Sequence, residues 1–537
     1  MPESIHGIDR RPLEAGKSLF DYADEVSISV PQSCGRSGRC RECVIEIRQG
    51  GEALSPRTEA EAYLPEHFRL ACQASVVSTD QDVEFAIIRR RMHILEATSE
   101  TTSEIDPLVT VEGDVVLYDG LPLDKARGRL LGLAIDVGTT TVVFRIIDLA
   151  TGHTVSGGAF ENPQRFGGSD VMSRISYERD HPGALRQALR RALNGALKEI
   201  YTEAGIDRHC VYEAMVVANS TMRDLFFGLD VAPIGHMPYK SVTELAVRRG
   251  EADSTWLTRL AHELGIFMNP HGRVTGAPLV ASHVGGDVAA DLVSTELARQ
   301  GGTTMLVDIG TNTEIIVSDG QRILAASSPA GPAFEGGLLR YGMPGADGAI
   351  EKVRIEDGGF AIEVIGDIEP QGICGSGLVD ILAELRRADW MTPIGRFADG
   401  RDEFTIASEP VITFSRADAS QLAQAKASNA SGQRILLRRL GIHPQEVDRV
   451  LLAGGFANAI DIGNAIAIGF LADVPPDRVE RVGNAALHGA VMLLLSRGRR
   501  AELGDLVGRI EHVELETEPD FFGLFVEGCQ FSPIPAV

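Results

Sequence analysis

The 537-residue chain is short of basic residues and has no long apolar run. Its 51 Lys and Arg residues are outnumbered by 75 Asp and Glu residues, which gives a formal net charge of −24. Such a charge argues against general nucleic-acid binding, because an acidic surface repels phosphate backbones. Apolar runs such as residues 491–495 are far shorter than the roughly 20 residues that span a bilayer, and no signal peptide is visible. We therefore expect a cytoplasmic protein that does not cross a membrane.

Cysteine is also scarce, and four of the seven cysteines lie near the amino terminus. Cys34, Cys40 and Cys43 have the spacing Cys-x5-Cys-x2-Cys, and Cys72 follows further along the chain. Three thiolates in one loop and a fourth at a distant strand end form the ligand set of a [2Fe–2S] cluster. Glycines such as Gly38 allow the positive φ angles that bring backbone N–H groups close to the cluster sulfurs. The sequence therefore predicts an iron–sulfur domain with these four cysteines as metal ligands.

Two other uses of the cysteines stay open at this point. A zinc site of four cysteines usually has two Cys-x2-Cys pairs, and this sequence has one. The second alternative is a set of disulfide pairs, but disulfides are rare in a chain without a secretory segment. The other cysteines, Cys210, Cys374 and Cys529, have no metal-ligand spacing, so we predict small buried side chains there.

The predicted cluster loop also contains Arg36, Arg39 and Arg41. One interpretation is a solvated loop whose basic residues offset the negative charge of the cluster. The other is a basic surface at which an acidic redox partner docks.

Residues 1–90 have the pattern of a small mixed α/β domain that suits a β-grasp ferredoxin. The pattern predicts helices over 18–24 and 58–63 and strands over 26–30, 44–48 and 83–88. Residues 91–128 are predicted to be a linker, since residues 97–104 are rich in Ser, Thr and Glu without periodicity. One hairpin is predicted within that linker, over 109–118.

Two turns of the same design follow at 136–141 and 308–313, each reading Asp-x-Gly-Thr-polar-Thr between two apolar strands. The recurrence suggests two related halves. Gly138 and Gly310 permit turns whose N–H groups point at phosphate oxygens, with threonine hydroxyls assisting. Asp136 and Asp308 could each hold hydrated Mg²⁺ or orient a water.

Two further stretches fit a nucleotide-binding protein. An apolar strand ends in Gly454 and Gly455, where a flat ring or a ribose can lie close to the backbone. Residues 482–496 predict a helix with small residues, at which two helices can pack tightly. His283, beside a Gly-Gly-Asp segment, is predicted to be a structural histidine.

Two phosphate turns, a Gly-Gly strand and a small-residue helix, in this order, resemble the ATPase superfamily of actin, hexokinase and heat-shock chaperones. With the ferredoxin-like domain in front, nearly the whole chain resembles the reductive activators of corrinoid proteins. Further stretches carry the same resemblance: residues 162–164, 170–175, 219–222, 329–337 and 372–377.

The resemblance implies an α/β multidomain fold. Its expected parts are a β-grasp [2Fe–2S] ferredoxin domain over 1–90, a linker over 91–128, a first ATPase lobe over 129–300, and a second lobe with the carboxyl-terminal region over 301–537. The two lobes of an actin-like ATPase are expected to bind ATP with Mg²⁺. Some family members have an extra small domain ahead of the ATPase, whereas here the first ATPase strand is expected to follow the linker directly.

The resemblance also implies roles for single residues. Asp136 and Asp308 are assigned as the catalytic carboxylates. The residues predicted to bind the nucleotide are Gly138, Thr139, Thr140, Thr141, Gly310, Thr311, Asn312, Glu335, Gly375, Ser376, Gly454 and Gly455. Two assignments leave an alternative. Glu335 either reaches the adenosine or is a charge at a helix N-terminus, and Gly375 and Ser376 either line the nucleotide or begin a helix with Ser376 as its cap.

The implied function is ATP-dependent transfer of one low-potential electron from the [2Fe–2S] cluster to a Co(II) corrinoid protein, which regenerates Co(I). The expected partners are the corrinoid protein of a methyltransferase system and an upstream reductase, ferredoxin or flavodoxin. A homodimer is one option for the oligomeric state. Two alternatives stay open: a small-molecule kinase with a redox-sensing domain, which needs a base over its acceptor hydroxyl, and a redox-gated ATP-binding interaction protein.

Overall fold

The computed structural model describes residues 3–6, 9–25, 30, 36–38, 43–87, 105–299, 301–336, 339–455 and 457–534. The chain divides into two compact units. The first consists of Met1–Pro278 and Ala490–Arg500, and the second of Leu279–Gly489 and Ala501–Val537. The first unit thus includes a short segment from near the carboxyl terminus, which the predicted division between residues 300 and 301 leaves out.

In the described residues, the amino-terminal domain consists of a five-stranded mixed sheet and one α-helix. Its elements are β1 (Glu3–His6), β2 (Asp9–Pro12), α1 (Leu19–Glu25), β3 (Val44–Gln49), β4 (Phe68–Leu70) and β5 (Val83–Ile87). The sheet order is β2-β1-β5-β3-β4, and β1 pairs with β5 in parallel. Leu19, Phe20 and Tyr22 of α1 are buried in the same core as strand residues such as Ile45 and Phe85, which is the β-grasp arrangement that the sequence predicts.

The local predictions in this domain have different outcomes. The helix over 18–24 and the strands over 44–48 and 83–88 are confirmed by α1, β3 and β5. The segment predicted as a helix over 58–63 forms only a single 3₁₀ turn, Glu59–Glu61, which Thr58 caps. Most of the predicted strand over 26–30 lies outside the described residues.

The second half of the predicted linker is folded. Strands β6 (Val109–Glu112), β7 (Val115–Tyr118) and β8 (Leu121–Lys125) form a three-stranded antiparallel sheet. The predicted hairpin is therefore present and carries a third strand. Tyr118 at the end of β7 donates its hydroxyl to Glu213, and Arg497 pairs with Asp119 at 2.8 Å. Because these contacts fix it to the rest of the first unit, this small sheet stands where the sequence predicts a linker running directly into the ATPase.

The larger part of the first unit is a six-stranded sheet with helices. Its elements are β9 (Leu131–Val137), β10 (Thr141–Asp148), β11 (Thr154–Glu161), α2 (Val171–Asp180), α3 (Ala184–Glu203), β12 (Val211–Val217), α4 (Ser220–Phe227), α5 (Val242–Arg248), β13 (Leu257–Leu260), α6 (Ala261–Leu264) and β14 (Arg273–Gly276). The sheet order is β11-β10-β9-β12-β14-β13. β9 and β12 are almost continuously apolar because both lie in the middle of the sheet and are covered on both faces.

The second unit contains another six-stranded sheet, several short strands and the longest helix. Its elements are α7 (Gly286–Thr295), β15 (Thr304–Ile309), β16 (Thr313–Ser318), β17 (Ile323–Ser328), β18 (Ala349–Glu356), β19 (Gly359–Val364), β20 (Gly372–Ile373), α8 (Gly375–Arg387), β21 (Glu403–Ser408), β22 (Val411–Ser415), α9 (Arg416–Leu440), β23 (Arg449–Ala453), α10 (Ile462–Ala467), β24 (Val479–Gly483), α11 (Ala485–Leu495), α12 (Arg497–Val507), β25 (Ile510–His512) and α13 (Phe521–Gly528). The end of α11 and the beginning of α12 belong to the first unit. The sheet order is β24-β23-β15-β16-β17-β25.

The two large sheets share one plan. In each, a first strand pairs antiparallel with the second strand and the second with the third, while a fourth strand lies parallel on the other side of the first. A fifth strand lies parallel to the fourth in both. The prediction of two related halves is therefore confirmed at the level of topology.

The small-residue helix is present as α11, and its glycine is used for close packing. A Cβ at Gly489 would lie 2.0 Å from the carbonyl oxygen of Ala290 in α7. Only glycine allows the two helices to approach this closely, which confirms the predicted tight contact. In the parts of the chain that the structure describes, none of the helices is both long and apolar enough to cross a membrane.

Candidate functional site

Two of the four predicted cluster ligands lie side by side at the end of one strand pair. Val44 of β3 pairs with Leu70 of β4, and the N–H of Ala71 donates to the carbonyl of Cys43 at 2.8 Å. This pairing brings Cys43 and Cys72 together although they are distant in sequence, and their sulfurs are 3.4 Å apart. Cys34 and Cys40 lie outside the described residues.

The distance between the two sulfurs fits two ligands of one metal ion. A tetrahedral metal with metal–sulfur bonds of about 2.3 Å holds its ligand sulfurs about 3.7 Å apart, whereas a disulfide bond measures about 2.05 Å. The contact with the Cys43 thiol lowers the pKa of Cys72 to about 6, and the Gln73 side chain, which donates to Cys72 Sγ at 3.4 Å, adds to this shift. A thiolate is the form that binds iron. The described part of the site therefore fits an iron–sulfur cluster.

Buried polar contacts fix the segment that leads to Cys72. Glu61 accepts hydrogen bonds from Arg69 Nε at 2.7 Å and from the N–H of Leu70 at 3.0 Å. Arg57 donates to five backbone carbonyls between Glu61 and Phe68. These donors therefore hold the chain just before Cys72 in place.

Arg36 of the cluster loop is anchored within its own domain. It forms ion pairs with Asp21 and Asp24 of α1, and its guanidinium lies 4.2 Å from the centre of the Phe20 ring. The residue has a φ of 66°, and nearby Gly38 has the predicted positive φ of 76°. Arg36 thus ties the loop to α1, while Arg39 and Arg41 lie outside the described residues.

The first phosphate turn joins β9 to β10 and is supported from behind. A Cβ at Gly138 would lie 2.6 Å from the carbonyl oxygen of Thr141, so the turn requires glycine there. Asn162 Nδ2 donates to the carbonyl of Gly138 at 2.9 Å, and Arg174 Nη2 donates to the carbonyl of Thr139 at 2.6 Å. Two carbonyls of the turn are thus held by side chains from other elements.

A second support comes from the parallel strand. β12 pairs with β9 so that Val217 lies opposite Asp136, and Asn219 follows two residues later at the same sheet end. Asn219 Nδ2 donates to the hydroxyl of Thr139 at 3.1 Å, while its Oδ1 caps α4 by accepting from the N–H of Met222 at 2.9 Å. One amide side chain therefore fixes both the turn and the start of a helix.

The second phosphate turn joins β15 to β16. The N–H of Gly310 donates to the carbonyl of Asn312 at 3.0 Å, and the N–H of Gly331 donates to the carbonyl of Thr311 at 2.7 Å. The hydroxyl of Thr311 donates to the carboxylate of Glu335, which ends a single 3₁₀ turn, Ala333–Glu335. Glu335 thus contacts the second turn.

Carboxylates gather beside this turn, and only Asp308 and Glu335 among them have a role predicted from the sequence. Removal from water raises the pKa of Asp308 to about 6, and the charge of Glu335 adds to the rise. Burial also raises the pKa of Glu314, which faces Asp287 and Asp308 and accepts a hydrogen bond from Ser327 at 2.9 Å. Such crowding of negative charge disfavours full ionisation unless a cation is present. Glu314 and Asp287 were missed, although a lone acid within the apolar strand after the turn is a visible signal for Glu314.

The glycine pair after β23 lies at the same sheet end as the second turn. β23 is parallel to β15 with Ala453 opposite Asp308. A Cβ at Gly454 would lie 2.2 Å from the carbonyl oxygen of Ile309, whereas one at Gly455 would meet nothing within 4 Å. Gly454 therefore serves close backbone packing, and Gly455 leaves open space in which a ring could lie.

Gly375 and Ser376 begin a helix, as one of the two predicted alternatives has it, but Ser376 is not its cap. Helix α8 begins at Gly375, the residue in the cap position is Cys374, and Ser376 lies inside the first turn. The Cys374 thiol reaches the carbonyl of Ile350 at 3.4 Å instead of capping. Cys210 and Cys374 are buried as predicted, and Cys529 is half-buried.

Three parts of the chain match described protein families. Residues 8–77 match the 2Fe-2S iron-sulfur cluster binding domain, residues 131–300 match the "RACo middle region", and residues 302–534 match the "C-terminal domain of RACo the ASKHA domain". The chain belongs to the RACo family of reductive activators. The predicted fold class, a ferredoxin-type domain followed by an actin-like ATPase, is confirmed by these matches.

Individual relatives match from three quarters to the whole of the chain. The corrinoid activation enzyme RamQ of Eubacterium limosum is 28% identical, over 96% of this chain and 96% of its own length. A [Co(II) methylated amine-specific corrinoid protein] reductase of Methanosarcina barkeri is 22% identical over 75% of this chain and 77% of its own. A solved structure titled "Reductive activator for corrinoid,iron-sulfur protein" is 28% identical, covers 100% of this chain and 99% of its own, and superposes with a TM-score of 0.73.

We expect Asn219→Ser to weaken nucleotide binding without unfolding this RACo-family protein. Serine can still cap α4 but cannot reach the Thr139 hydroxyl, so only the support of the turn is lost. One lost hydrogen bond of this kind changes affinity by about tenfold. Titration with an ATP analogue measures the affinity, and the thermal midpoint should move little. Equal affinity with an intact fold would show that Thr139 does not contribute to nucleotide binding.

Proposed function

We propose that this protein is an ATP-dependent reductive activator, which passes one electron from a [2Fe–2S] cluster to a Co(II) corrinoid protein and regenerates Co(I). The observation that carries the proposal is the joining, in this one chain, of a ferredoxin-type domain and two sheets with matching phosphate turns. Relatives named for corrinoid activation match almost the whole chain. A ferredoxin domain alone would suffice for electron transfer. The added ATPase indicates that the transfer is energetically uphill.

The size of the energetic problem supports this reading. Plant-type clusters have potentials near about −400 mV, and Co(II) corrinoids are reluctant electron acceptors. For a one-electron couple each ~59 mV is a factor of ten, so a gap of about 120 mV leaves roughly one part in a hundred as Co(I). ATP can change this ratio only if the protein's nucleotide states bind the Co(II) and Co(I) forms with different affinities.

The residues have separate tasks in this scheme. Cys34, Cys40, Cys43 and Cys72 are the proposed cluster ligands, and the cluster supplies one low-potential electron when it is bound. Gln73 donates to the Cys72 sulfur, and such hydrogen bonds tune cluster potentials.

The phosphate contacts are assigned to the two turns. The N–H groups after Gly138 and Gly310 and the hydroxyl of Thr139 would bind phosphate oxygens. Asp136 and Asp308 would hold Mg²⁺ through water. Gly455 offers open space for the nucleoside.

The partners follow from the reaction. A corrinoid protein of a methyltransferase system receives the electron, and a low-potential reductase, ferredoxin or flavodoxin supplies it. Both encounters are transient, because each partner must leave after a single electron has passed.

The test is an anaerobic assay with cluster-loaded protein, a reductant and a Co(II) corrinoid protein. We expect Co(I) absorbance to grow with ATP and to stay near its starting value without nucleotide or with ADP. Equal Co(I) yields with and without ATP would falsify the proposal. ATP turnover stimulated by a small polyol but not by the corrinoid protein would favour the kinase, and undetectable turnover with every partner would favour an interaction protein.

A further inference from the structure

The ferredoxin domain contacts the first ATPase lobe at a small surface that we call the docking patch, made of Arg165, Phe166 and Tyr177. Arg165 Nη2 lies 2.7 Å from Glu46 of β3, and its Nη1 lies 2.7 Å from Glu161 of β11. Although burial alone would lower the pKa of Arg165, the two carboxylates raise it. The guanidinium is therefore held between one carboxylate from each domain.

The rest of the docking patch is aromatic. Tyr63 of the ferredoxin domain meets Phe166 edge-to-face, with ring centres 5.6 Å apart, and Phe166 meets Tyr177 in the same way at 5.5 Å. A Cβ at Gly167 would lie 3.0 Å from the Tyr177 ring, so the glycine makes room for it. Phe166 is fully buried, and Tyr63 and Tyr177 pack against the same continuous core. The contact is therefore a packed interface of opposite charges and complementary rings.

The docking patch shares its backbone with the support of the first phosphate turn. Asn162 precedes the 3₁₀ helix Pro163–Gly167 that carries Arg165 and Phe166. Its N–H donates to the carbonyl of Thr140 at 2.7 Å and its side chain donates to Gly138. Arg174, one helical turn before Tyr177 in α2, donates to Thr139 and to the carbonyl of Gly168 at 3.0 Å. The same short elements thus hold the phosphate turn on one side and the ferredoxin domain on the other.

We propose that nucleotide binding at the first phosphate turn releases the ferredoxin domain from the docking patch. A triphosphate bound by the N–H groups of the turn draws the turn towards itself and away from Asn162 and Arg174, so the segment Pro163–Gly167 loses its anchor. The inference rests on the proposed function, because it describes how the ATPase controls where the cluster domain is. Release would free the cluster domain to meet a partner only in the loaded state.

The two contacts set the size of the effect. An edge-to-face ring pair and a half-buried ion pair each shift an equilibrium by severalfold, and together by about tenfold. A docking equilibrium of this size can be reversed by a nucleotide with modest preference for one state. Linkage also requires reciprocity: a variant that weakens docking must bind the nucleotide more tightly by the same factor.

The experiment measures the reactivity of the Glu46 carboxylate in the complete, cluster-loaded protein, by carbodiimide labelling under anaerobic conditions and mass spectrometry. Exposed Glu52, in the same domain, serves as the internal reference. We expect about tenfold faster labelling of Glu46 in Tyr63→Ala than in wild type, and little change in the matched variant Tyr63→Phe, which keeps the ring. A non-hydrolysable ATP analogue with Mg²⁺ should accelerate Glu46 labelling in wild type.

The second readout is the affinity for the same analogue. We expect Tyr63→Ala to bind it more tightly than wild type and Tyr63→Phe to bind it equally well. Unchanged Glu46 labelling in Tyr63→Ala overturns the docking, and labelling that is unchanged or slower with saturating analogue overturns the coupling. If wild type does not bind the analogue at all, the proposed function fails first, so the two failures are distinguishable.

Discussion

Replacing Cys72 by serine is expected to leave a protein that still folds but holds less than about a tenth of its iron. Cys72 lies 3.4 Å from Cys43 at the ends of two paired strands, a distance that suits two ligands of one metal ion. A serine hydroxyl is a harder ligand that stays protonated at neutral pH, and it binds cluster iron poorly. Iron and acid-labile sulfide content after anaerobic reconstitution, together with the visible spectrum, measures the loss. Electron transfer to the corrinoid protein should disappear with it.

The matched control is Cys529→Ser, which changes another partly exposed cysteine of the same chain. It should keep the full cluster content, and in both variants ATP should still bind, since the phosphate turns lie outside the ferredoxin domain. Cluster content equal to that of wild type in Cys72→Ser would remove Cys72 from the ligand set. Zinc in place of iron in reconstituted wild type would restore the zinc interpretation of the four cysteines.

The features that the sequence predicts well are those whose cause is local. The turn at 136–141 is recognisable because a glycine, a carboxylate and hydroxyls follow each other directly after an apolar strand. The same holds for the turn at 308–313, and the shared strand order of the two sheets confirms that the repetition is structural. The β-grasp domain was recognisable for a similar reason, since the cysteine spacing and the strands around it are short-range signals.

The features that the sequence does not predict depend on contacts between distant segments. Asn162, Arg174 and Asn219 lay in stretches that resembled the family, but their shared task of holding one turn appears only when three separate elements meet. The folded sheet within 105–125 was predicted to be linker because its strands are short and their partners Glu213 and Arg497 come from far along the chain. Ser376 has the residue type of a helix cap, yet α8 begins at Gly375 with Cys374 in the cap position. A Cβ at Gly377 would lie 2.4 Å from the carbonyl oxygen of Ile350, so the first turn of this helix packs against a strand that is distant in sequence.

Asp308→Asn and Asp136→Asn are each expected to reduce ATP hydrolysis by about 10²–10³-fold. Each carboxylate stands at the end of the first strand of its sheet, directly before a phosphate turn. Asparagine keeps the shape but removes the negative charge that would hold Mg²⁺, and a metal ion contributes several kcal/mol to such a reaction. The measurement is ATP turnover with the corrinoid protein present, repeated over a range of Mg²⁺ concentrations. The variants should need more Mg²⁺ and should still take up an electron at the cluster.

The matched controls are Asp148→Asn and Asp319→Asn, one for each sheet. Both carboxylates accept backbone hydrogen bonds in exposed turns, Asp148 from Ala150 and Asp319 from Gln321, and asparagine can do the same. Turnover should therefore stay within about twofold of wild type, because a surface substitution away from a special feature changes little. If both turn variants hydrolyse ATP like these controls, the two aspartates are not the metal-holding groups. The crowded carboxylates around Glu314 would then be the next candidates, since they too gain from a nearby cation.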